Sequence, residues 1–582
     1  MIIKVKQNTL KLILRILNNK ESTEPVLILP PQKDCVLSQN HGSLLLRSTP
    51  QKEGVPNNLV ENFFTEIDAD KTIAPHTVMV AKNDKIIAAK NYAPYTDKCW
   101  ATTYSMCKTI AGMAIGFLAD EGKINVNDKY QKILRPSFFT RNFYQRNITV
   151  KNLLTMTSGV AFNEAGSVTS TDWANDFMTS EVKFRPGKEF MYNSMNSYML
   201  AALVNKITGQ GLVEYLTPRL FEPLGITDIF WEKCPQGIEK AGWGLYILPE
   251  DILKLGIFVL NKGKWNGKQL LSEKWMEEAT STQMEVPEYI GKYNYGYQMW
   301  TGDEPKMAIF NGMFGQNIFV LPDTGIVVAI TAGNSDMFQS NNIFPLVEKY
   351  FGKIKQQTLL PSVKYTQPKP LNQSMLDGIL GRQIFLTSLT SEKIGLLPNL
   401  LQIIQNNYTM GLDKLTVNCV EGKYFCEFVE GSAVYNVPFA FEKAVKSVIQ
   451  INGESYEIAA QGYCAQNEDD QDVLKIKINF LEMASVREIK ITYSGNRVHL
   501  KFIETPGKDF LLKMLVLTPE NIKKNILIKQ LAKTIDLDYL IYKVKATLEP
   551  DLLGAFKPED DKEIFYDFFP SKINAEKEDF SL

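Results

Sequence analysis

Tyr104-Ser105-Met106-Cys107-Lys108-Thr109-Ile110-Ala111-Gly112-Met113-Ala114-Ile115-Gly116-Phe117-Leu118 is the stretch on which the reading of this chain turns. Ile110, Met113, Ala114, Phe117 and Leu118 recur at helical spacing, and Ala111, Gly112 and Gly116 are small. The stretch therefore predicts a buried helix with closely packed neighbours. Gly122 is the expected terminator, with Asp120 and Glu121 set against the negative end of the helix dipole. Ser105 falls at the N-terminal end, where backbone N–H groups are free to stabilise an oxyanion. Lys108 lies one turn on and on the same face. A serine hydroxyl is a poor nucleophile unless a neighbour takes its proton, and a lysine amine does so when a dry or cation-crowded setting lowers its pKa.

The same S-x-x-K spacing recurs at Ser180-Glu181-Val182-Lys183, but there it runs into Phe184-Arg185-Pro186-Gly187 and reads as loop. Other chemistries are poorly served. The three histidines, His41, His76 and His499, have no neighbouring ligand at metal spacing, so no metal site is expected. No G-x-S-x-G elbow accompanies them, which disfavours a Ser-His-Asp hydrolase. Neither G-x-x-x-x-G-K-[ST] nor G-x-G-x-x-G is present, which removes the common phosphate cradles. No cofactor is implied. The acidic run Glu468-Asp469-Asp470-Gln471-Asp472 lacks EF-hand spacing and reads as a solvated turn, and Cys107 reads as packing.

At 582 residues the chain exceeds what one core supports, so at least two domains are expected. A net charge of -1 provides no field for nucleic acid. Seven dispersed cysteines without a C-x-x-C pair suit reduced thiols and a cytoplasmic location. Lys11 and Arg15 interrupt the apolar run Leu10 to Leu17, which argues against a signal peptide, and no run approaches the ~20 apolar residues of a membrane helix.

Residues 1–45 read as an N-terminal extension. Thr77 to Val80 and Ile86 to Ala89 flank Lys82-Asn83-Asp84 as a hairpin, and Asn317 to Leu321 and Ile326 to Ile330 flank Pro322-Asp323-Thr324-Gly325 as a second. Helical patterns such as Ser197 to Ile207 and Pro249 to Asn261 lie between them, which implies an α+β layered domain whose sheet joins its first and last strands. Alternation through Leu474 to Phe480, Ile489 to Tyr493 and Val498 to Phe502 predicts a half-exposed antiparallel sheet in a β-rich C-terminal domain, 356–516. Thr518-Pro519-Glu520 opens a predicted helix, so 517–582 reads as a helical segment with a charged tail.

Residues 46–355 resemble the serine β-lactamase and penicillin-binding-protein superfamily, specifically its class C-like branch. The resemblance rests on Leu46-Arg47-Ser48-Thr49-Pro50, Tyr104 to Lys108, Asp120-Glu121-Gly122-Lys123, Ile148 to Gly159, Arg185 to Phe190, Tyr192-Asn193-Ser194 and Phe221 to Ile226. It implies a β-lactamase/transpeptidase-like domain of antiparallel sheet, flanking helices and a helical subdomain. Ser105 maps onto the family's nucleophile, Lys108 onto its lysine and Tyr192 onto its proton-shuttling tyrosine. Ser194 replaces the usual asparagine and is expected to hold the hydrogen-bond network among them.

The third motif, usually Lys-Thr-Gly or His-x-Gly, corresponds to Gly312-Met313-Phe314-Gly315 and carries no cation. This variant resembles the 6-aminohexanoate-dimer hydrolases and esterases. Met313 and Phe314 are expected to offer apolar surface, and an N–H near Met313 to join Ser105 in an oxyanion hole. The expectation is a serine hydrolase acting through an acyl-enzyme on a small ester, amide or peptide-like substrate, with esterase or amidase chemistry ahead of β-lactamase. A homodimer is left open. The alternative is an inactive relative that binds peptide or cell-wall fragments.

Overall fold

The computed structural model describes residues 32–34, 36, 42, 44–135, 142–167, 170–335, 339, 341–361, 376–387, 394–466, 472–507 and 549–556. The predicted helix from Thr518, the charged tail, the apolar run Leu10 to Leu17 and most of the acidic run lie outside them.

Both predicted hairpins form. Pro75–Lys82 pairs with Lys85–Asn91 across Asn83 and Asp84, whose φ of 51° and 60° give the left-handed two-residue turn that suits strand twist. Gln316–Leu321 pairs with Ile326–Ala332, and Ile326–Ala332 lies antiparallel to Pro75–Lys82. The first and last long strands of this region are thus neighbours, within an eight-stranded sheet that continues through Met307–Gly312, Trp300–Gly302 and Asn294–Tyr295.

Every residue of Ile326–Ala332 is buried, because both faces of the sheet are covered. Val78, Val80, Val328 and Ile330 pack beneath helices Asn57–Ala69 and Ile343–Phe351. Met79, Ala81, Val327 and Ala329 face the larger core, which includes Pro249–Leu260. A Cβ on Gly256 of that helix would stand 2.6 Å from Ile318 and from Val327, so helix and sheet are in direct contact.

The helix predicted from Ser105 begins with a 3-10 turn, Tyr104–Met106, and runs as Cys107–Asp120. Its small residues have the expected use. A Cβ on Gly116 would meet the Trp275 ring at 2.5 Å, and one on Gly112 would stand 3.1 Å from Gln298. Gly122, at φ 67°, ends it, with the Lys123 N–H donating to Leu118 O at 2.9 Å. Ser180 follows helix Trp173–Thr179 in extended backbone, and Val182 forms only an isolated bridge with Val160, so the second S-x-x-K is loop.

Beyond residue 376 the expected antiparallel β-rich domain forms, and its sheet closes on itself. Nine of ten close into a barrel, because Ala433–Ala440 pairs both with Lys423–Glu430 and, at Phe439 and Ala440, with Glu454–Gln466. Alternation is the same for a half-exposed sheet and a barrel wall, so the sequence pattern does not distinguish them. Leu474, Ile476, Ile478, Ile489, Ile491, Val498, Leu500 and Phe502 fill the interior.

The barrel also takes in Asp551–Ala555, which pairs with Gln383–Thr387 and Arg497–Thr505. This strand falls within 517–582, read as helical segment and tail. Its five residues, with Leu552 and Gly554 pointing inward, are too few to display a period. Part of the N-terminal extension is tied down as well: Lys33 is buried, its ammonium 2.8 Å from Glu482, and its carbonyl accepts the Ser455 N–H at 2.8 Å. Among the described residues no helix is long and apolar enough to cross a membrane, and no cluster of three metal-binding side chains occurs.

Candidate active site

The approach to Ser105 is held from two sides. Thr103 donates its N–H and its hydroxyl to Leu245 O at 2.9 and 3.1 Å, and Thr102 N donates to Glu482 O of the barrel at 2.8 Å. Tyr104 then adopts φ 45°, a left-handed conformation uncommon for an aromatic residue, which swings the chain into the 3-10 turn and leaves Ser105 9% exposed. Strain of this kind persists where surrounding contacts fix it, and it concentrates at functional sites.

Lys108 Nζ donates to Ser105 Oγ at 2.7 Å and to Gly242 O at 2.6 Å. At 1% exposure the amine has lost its hydration, and burial lowers its pKa from 10.5 to about 8, against the opposing pull of Cys107 and Glu164. Gly242 is there because nothing larger fits: a Cβ would stand 2.6 Å from that of Ser194. Cys107 donates its thiol to Tyr104 O and Ala241 O, and burial pushes its pKa up to about 12, which makes it packing.

Tyr192 reaches Ser105 with a hydroxyl hydrogen bond, and Lys108 Nζ stands 5.0 Å from its ring centroid. The ring stacks on Trp300, 5.7 Å between centroids and 17° between planes, which fixes its direction. Burial raises its pKa well above the ordinary tyrosine value, with Glu164 and Cys107 adding to the rise and the Ser105 bond opposing it. Tyr192 is therefore a neutral phenol, suited to donating and relaying a proton rather than to standing as a phenolate.

The segment Ile148 to Gly159 holds this tyrosine in place. Thr149 and Asn152 form a reciprocal capping box, Met156 takes φ 56°, and its carbonyl accepts the Met191 N–H at 2.9 Å. Asn193 caps helix Ser194–Thr208 through Met195 N and donates its amide to Val160 O and Phe162 O at 2.9 and 2.8 Å. Ser194 starts that helix, and its backbone N–H donates to Glu164 at 2.7 Å.

The third segment arrives on Met307–Gly312, the strand beside the Ser105 turn. A Cβ on Gly312 would lie 2.4 Å from Thr103 O, so glycine permits the approach. Phe314, at φ 65°, turns inward and is fully buried against Tyr104, with ring centroids 5.1 Å apart. The apolar surface expected of Phe314 is thus spent in the core, and Met313 alone of the pair stays half-buried. Gly315, at φ 87°, lets Asn334 close the turn, where a Cβ would meet its amide at 2.6 Å.

The structure thus brings Ser105, Lys108 and Tyr192 together, with Ser194 and Gly312 at the edges. It adds Glu164, Gly242, Asn193 and Trp300, which the sequence reading did not assign. Ala241-Gly242-Trp243-Gly244 is dense enough in glycine to have suggested a close approach; Glu164 and Trp300 carry no local signal. His76 is stacked on Tyr95 at 3.4 Å with its pKa depressed to about 3 by burial, and His499 pairs with Asp551 on the barrel.

A family profile described as Beta-lactamase matches residues 60–341. Protein flp of Staphylococcus aureus (strain NCTC 8325 / PS 47) is 32% identical over 167 residues, 26% of this chain and 33% of that protein. The chain spans about a third of the length of the curated relatives it first matches. Among solved structures, the octameric penicillin-binding protein homologue from Pyrococcus abyssi aligns with a TM-score of 0.42 at 17% identity, over 76% of this chain and 97% of that one. FmtA from Staphylococcus aureus aligns with a TM-score of 0.42 at 18% identity, over 56% of this chain and 97% of that one.

Proposed function

Because residues 60–341 belong to the β-lactamase/transpeptidase-like superfamily of serine hydrolases and penicillin-binding-protein relatives, we propose that this chain hydrolyses an ester or amide through an acyl-enzyme on Ser105. The observation that carries the reading is the 2.7 Å contact of a buried, pKa-lowered Lys108 with the Ser105 hydroxyl. Neutral Lys108 takes the Oγ proton as Oγ attacks the carbonyl carbon. Tyr192 gives its hydroxyl proton to the departing alcohol or amine and is reprotonated from Lys108. Water then attacks the acyl-enzyme, its proton returning through the same groups to Ser105 as the acid leaves. Backbone N–H groups of Ser105 and of the Met313 turn hold the oxyanion.

The electrostatics favour a substrate without a carboxylate beside the scissile bond. No cation stands in Gly312-Met313-Phe314-Gly315, while Glu164 lies close enough to act on both Lys108 and Tyr192. Neutral and cationic esters and amides fit this setting, and nitrocefin is expected to turn over slowly. A purely binding role would give no use to a lysine held near its neutral form against a serine hydroxyl. The test is a fluorophosphonate probe, expected to label the native protein and not Ser105→Ala; equal labelling of the two removes the assignment.

Glu164 carries a second prediction. Its charge raises the Lys108 pKa, so Glu164→Gln lowers that pKa further and increases the neutral fraction at low pH. The acid limb of the kcat/KM profile is expected to move to lower pH, with the plateau changed less than about tenfold. An unmoved or alkaline-shifted limb in a pH series from 5 to 10 contradicts the placement.

A further inference from the structure

The barrel touches the residues on either side of the nucleophile. Besides the Thr102 bond to Glu482, the Ala484 N–H points at the Tyr104 hydroxyl at 3.4 Å. Leu400 and Ala484 are buried in one cluster with Tyr104 and Phe314, and Met313 and Ile404 pack half-buried on its margin. Two of these, Leu400 and Ile404, belong to helix Asn399–Gln405.

That short helix is pinned at both ends. At its start the buried Glu504 carboxylate accepts Asn399 N at 2.9 Å and Leu400 N at 3.3 Å, and it is paired in turn with Arg487 at 3.3 Å. Arg487 also donates to Gly395 O and Leu397 O, at 3.2 and 3.1 Å. At its end Gln405 donates to the Tyr246 hydroxyl and accepts from that of Tyr456, both at 2.8 Å. Tyr246 sits in Leu245–Ile247, the strand whose Leu245 O holds Thr103. One end of the barrel is therefore bonded into the same framework that sets Ser105.

Met313 and Ile404 take no part in the proton transfers, yet they leave apolar surface exposed beside the nucleophile turn. The geometry points to an apolar acyl subsite shared between the hydrolase region and the barrel, walled by Met313, Leu400 and Ile404, that receives an uncharged aliphatic or aromatic acyl chain. This inference rests on the serine-hydrolase reading. Tyr192, which protonates the leaving group in that reading, packs against a separate cluster from the one that holds Met313 and Ile404, so the acyl side is the side left to it. Apolar pockets discriminate chain length steeply, about tenfold or more for a misfitted methylene.

The test compares p-nitrophenyl esters from acetate to octanoate in the full chain, with Ile404→Trp to fill the margin and Ile404→Ala to open it. Both changes fall on a half-buried position, and near-ultraviolet circular dichroism checks the fold. Ile404→Trp is expected to lower the octanoate-to-acetate ratio of kcat/KM at least tenfold, and Ile404→Ala to move the optimum to longer or bulkier acyl groups. Chain-length profiles parallel to the parent in both variants overturn the subsite. If Ser105 still labels with a fluorophosphonate, that result leaves the hydrolase reading intact. Absence of both ester turnover and labelling in the parent removes the two together.

Discussion

Replacing Lys108 by methionine is expected to lower turnover about 10³-fold while the melting temperature at pH 7 stays at or above that of the parent. Activity falls because, among the described residues, Lys108 is the amine bonded to Ser105 Oγ, at 2.7 Å. Stability holds because the lysine is itself a burden on the fold. Burial takes its pKa from 10.5 to about 8, so between those values the unfolded chain holds a proton that the folded protein releases. Unfolded binding exceeds folded binding there, and stability rises with pH across pH 8 to 10.5; below pH 8 the whole penalty, about 3 kcal/mol, is present. Methionine removes the penalty and gives up the bonds to Ser105 and Gly242, a loss of similar size. In the parent, kcat/KM is expected to rise with pH and to level off above about 8 as Lys108 becomes neutral. Ester turnover and calorimetry over pH 6 to 9 read both effects; a variant with near-parental rates refutes the base assignment.

Arg487→Ala is expected to destabilise the protein by about 3–5 kcal/mol. Arg487 and Glu504 are 0% and 1% exposed, so deleting the guanidinium strands a carboxylate and the carbonyl oxygens of Gly395, Leu396 and Leu397 away from water. Burial already pushes the Glu504 carboxyl up, and Arg487 opposes that rise; without the guanidinium the carboxyl is pushed up further, which weakens it as an acceptor for Asn399 and Leu400. The double variant Arg487→Met with Glu504→Gln recovers part of the loss, because position 504 no longer holds a buried carboxylate stripped of its partner. Urea unfolding followed by tryptophan fluorescence measures both. A loss below about 1 kcal/mol for the single variant shows that the pair is solvated and the helix held by other means.

Much of the hydrolase region is legible along the chain because its signals are local. The Ser105 to Leu118 pattern needs only helical periodicity, the two hairpins need only turn residues between apolar runs, and Gly122 needs only its position after the last periodic residue. Glu164 and Trp300 were invisible for the opposite reason. Each acts on Tyr192 or its neighbours from 28 and 108 positions away in the numbering, and neither has a flanking pattern that distinguishes it from an ordinary surface acid or core aromatic. Phe314 is ambiguous in sequence because an apolar residue in a glycine-rich segment reads the same whether it faces substrate or core; its φ of 65° decides the matter.

Local pattern is enough to establish that a serine and a lysine share one turn at the start of a buried helix, that sheet strands bracket the region, and that a β-rich segment follows. These follow from periods of 3.6 and 2 and from turn chemistry, which are properties of neighbouring residues. It takes the packing of distant segments to bring Tyr192 to Ser105, to dry Lys108 enough for its pKa to fall, to close the later strands into a barrel, and to set the end of that barrel against Tyr104. Desolvation, ring closure and docking depend on which distant segments exclude water from one another, and no local pattern carries that information.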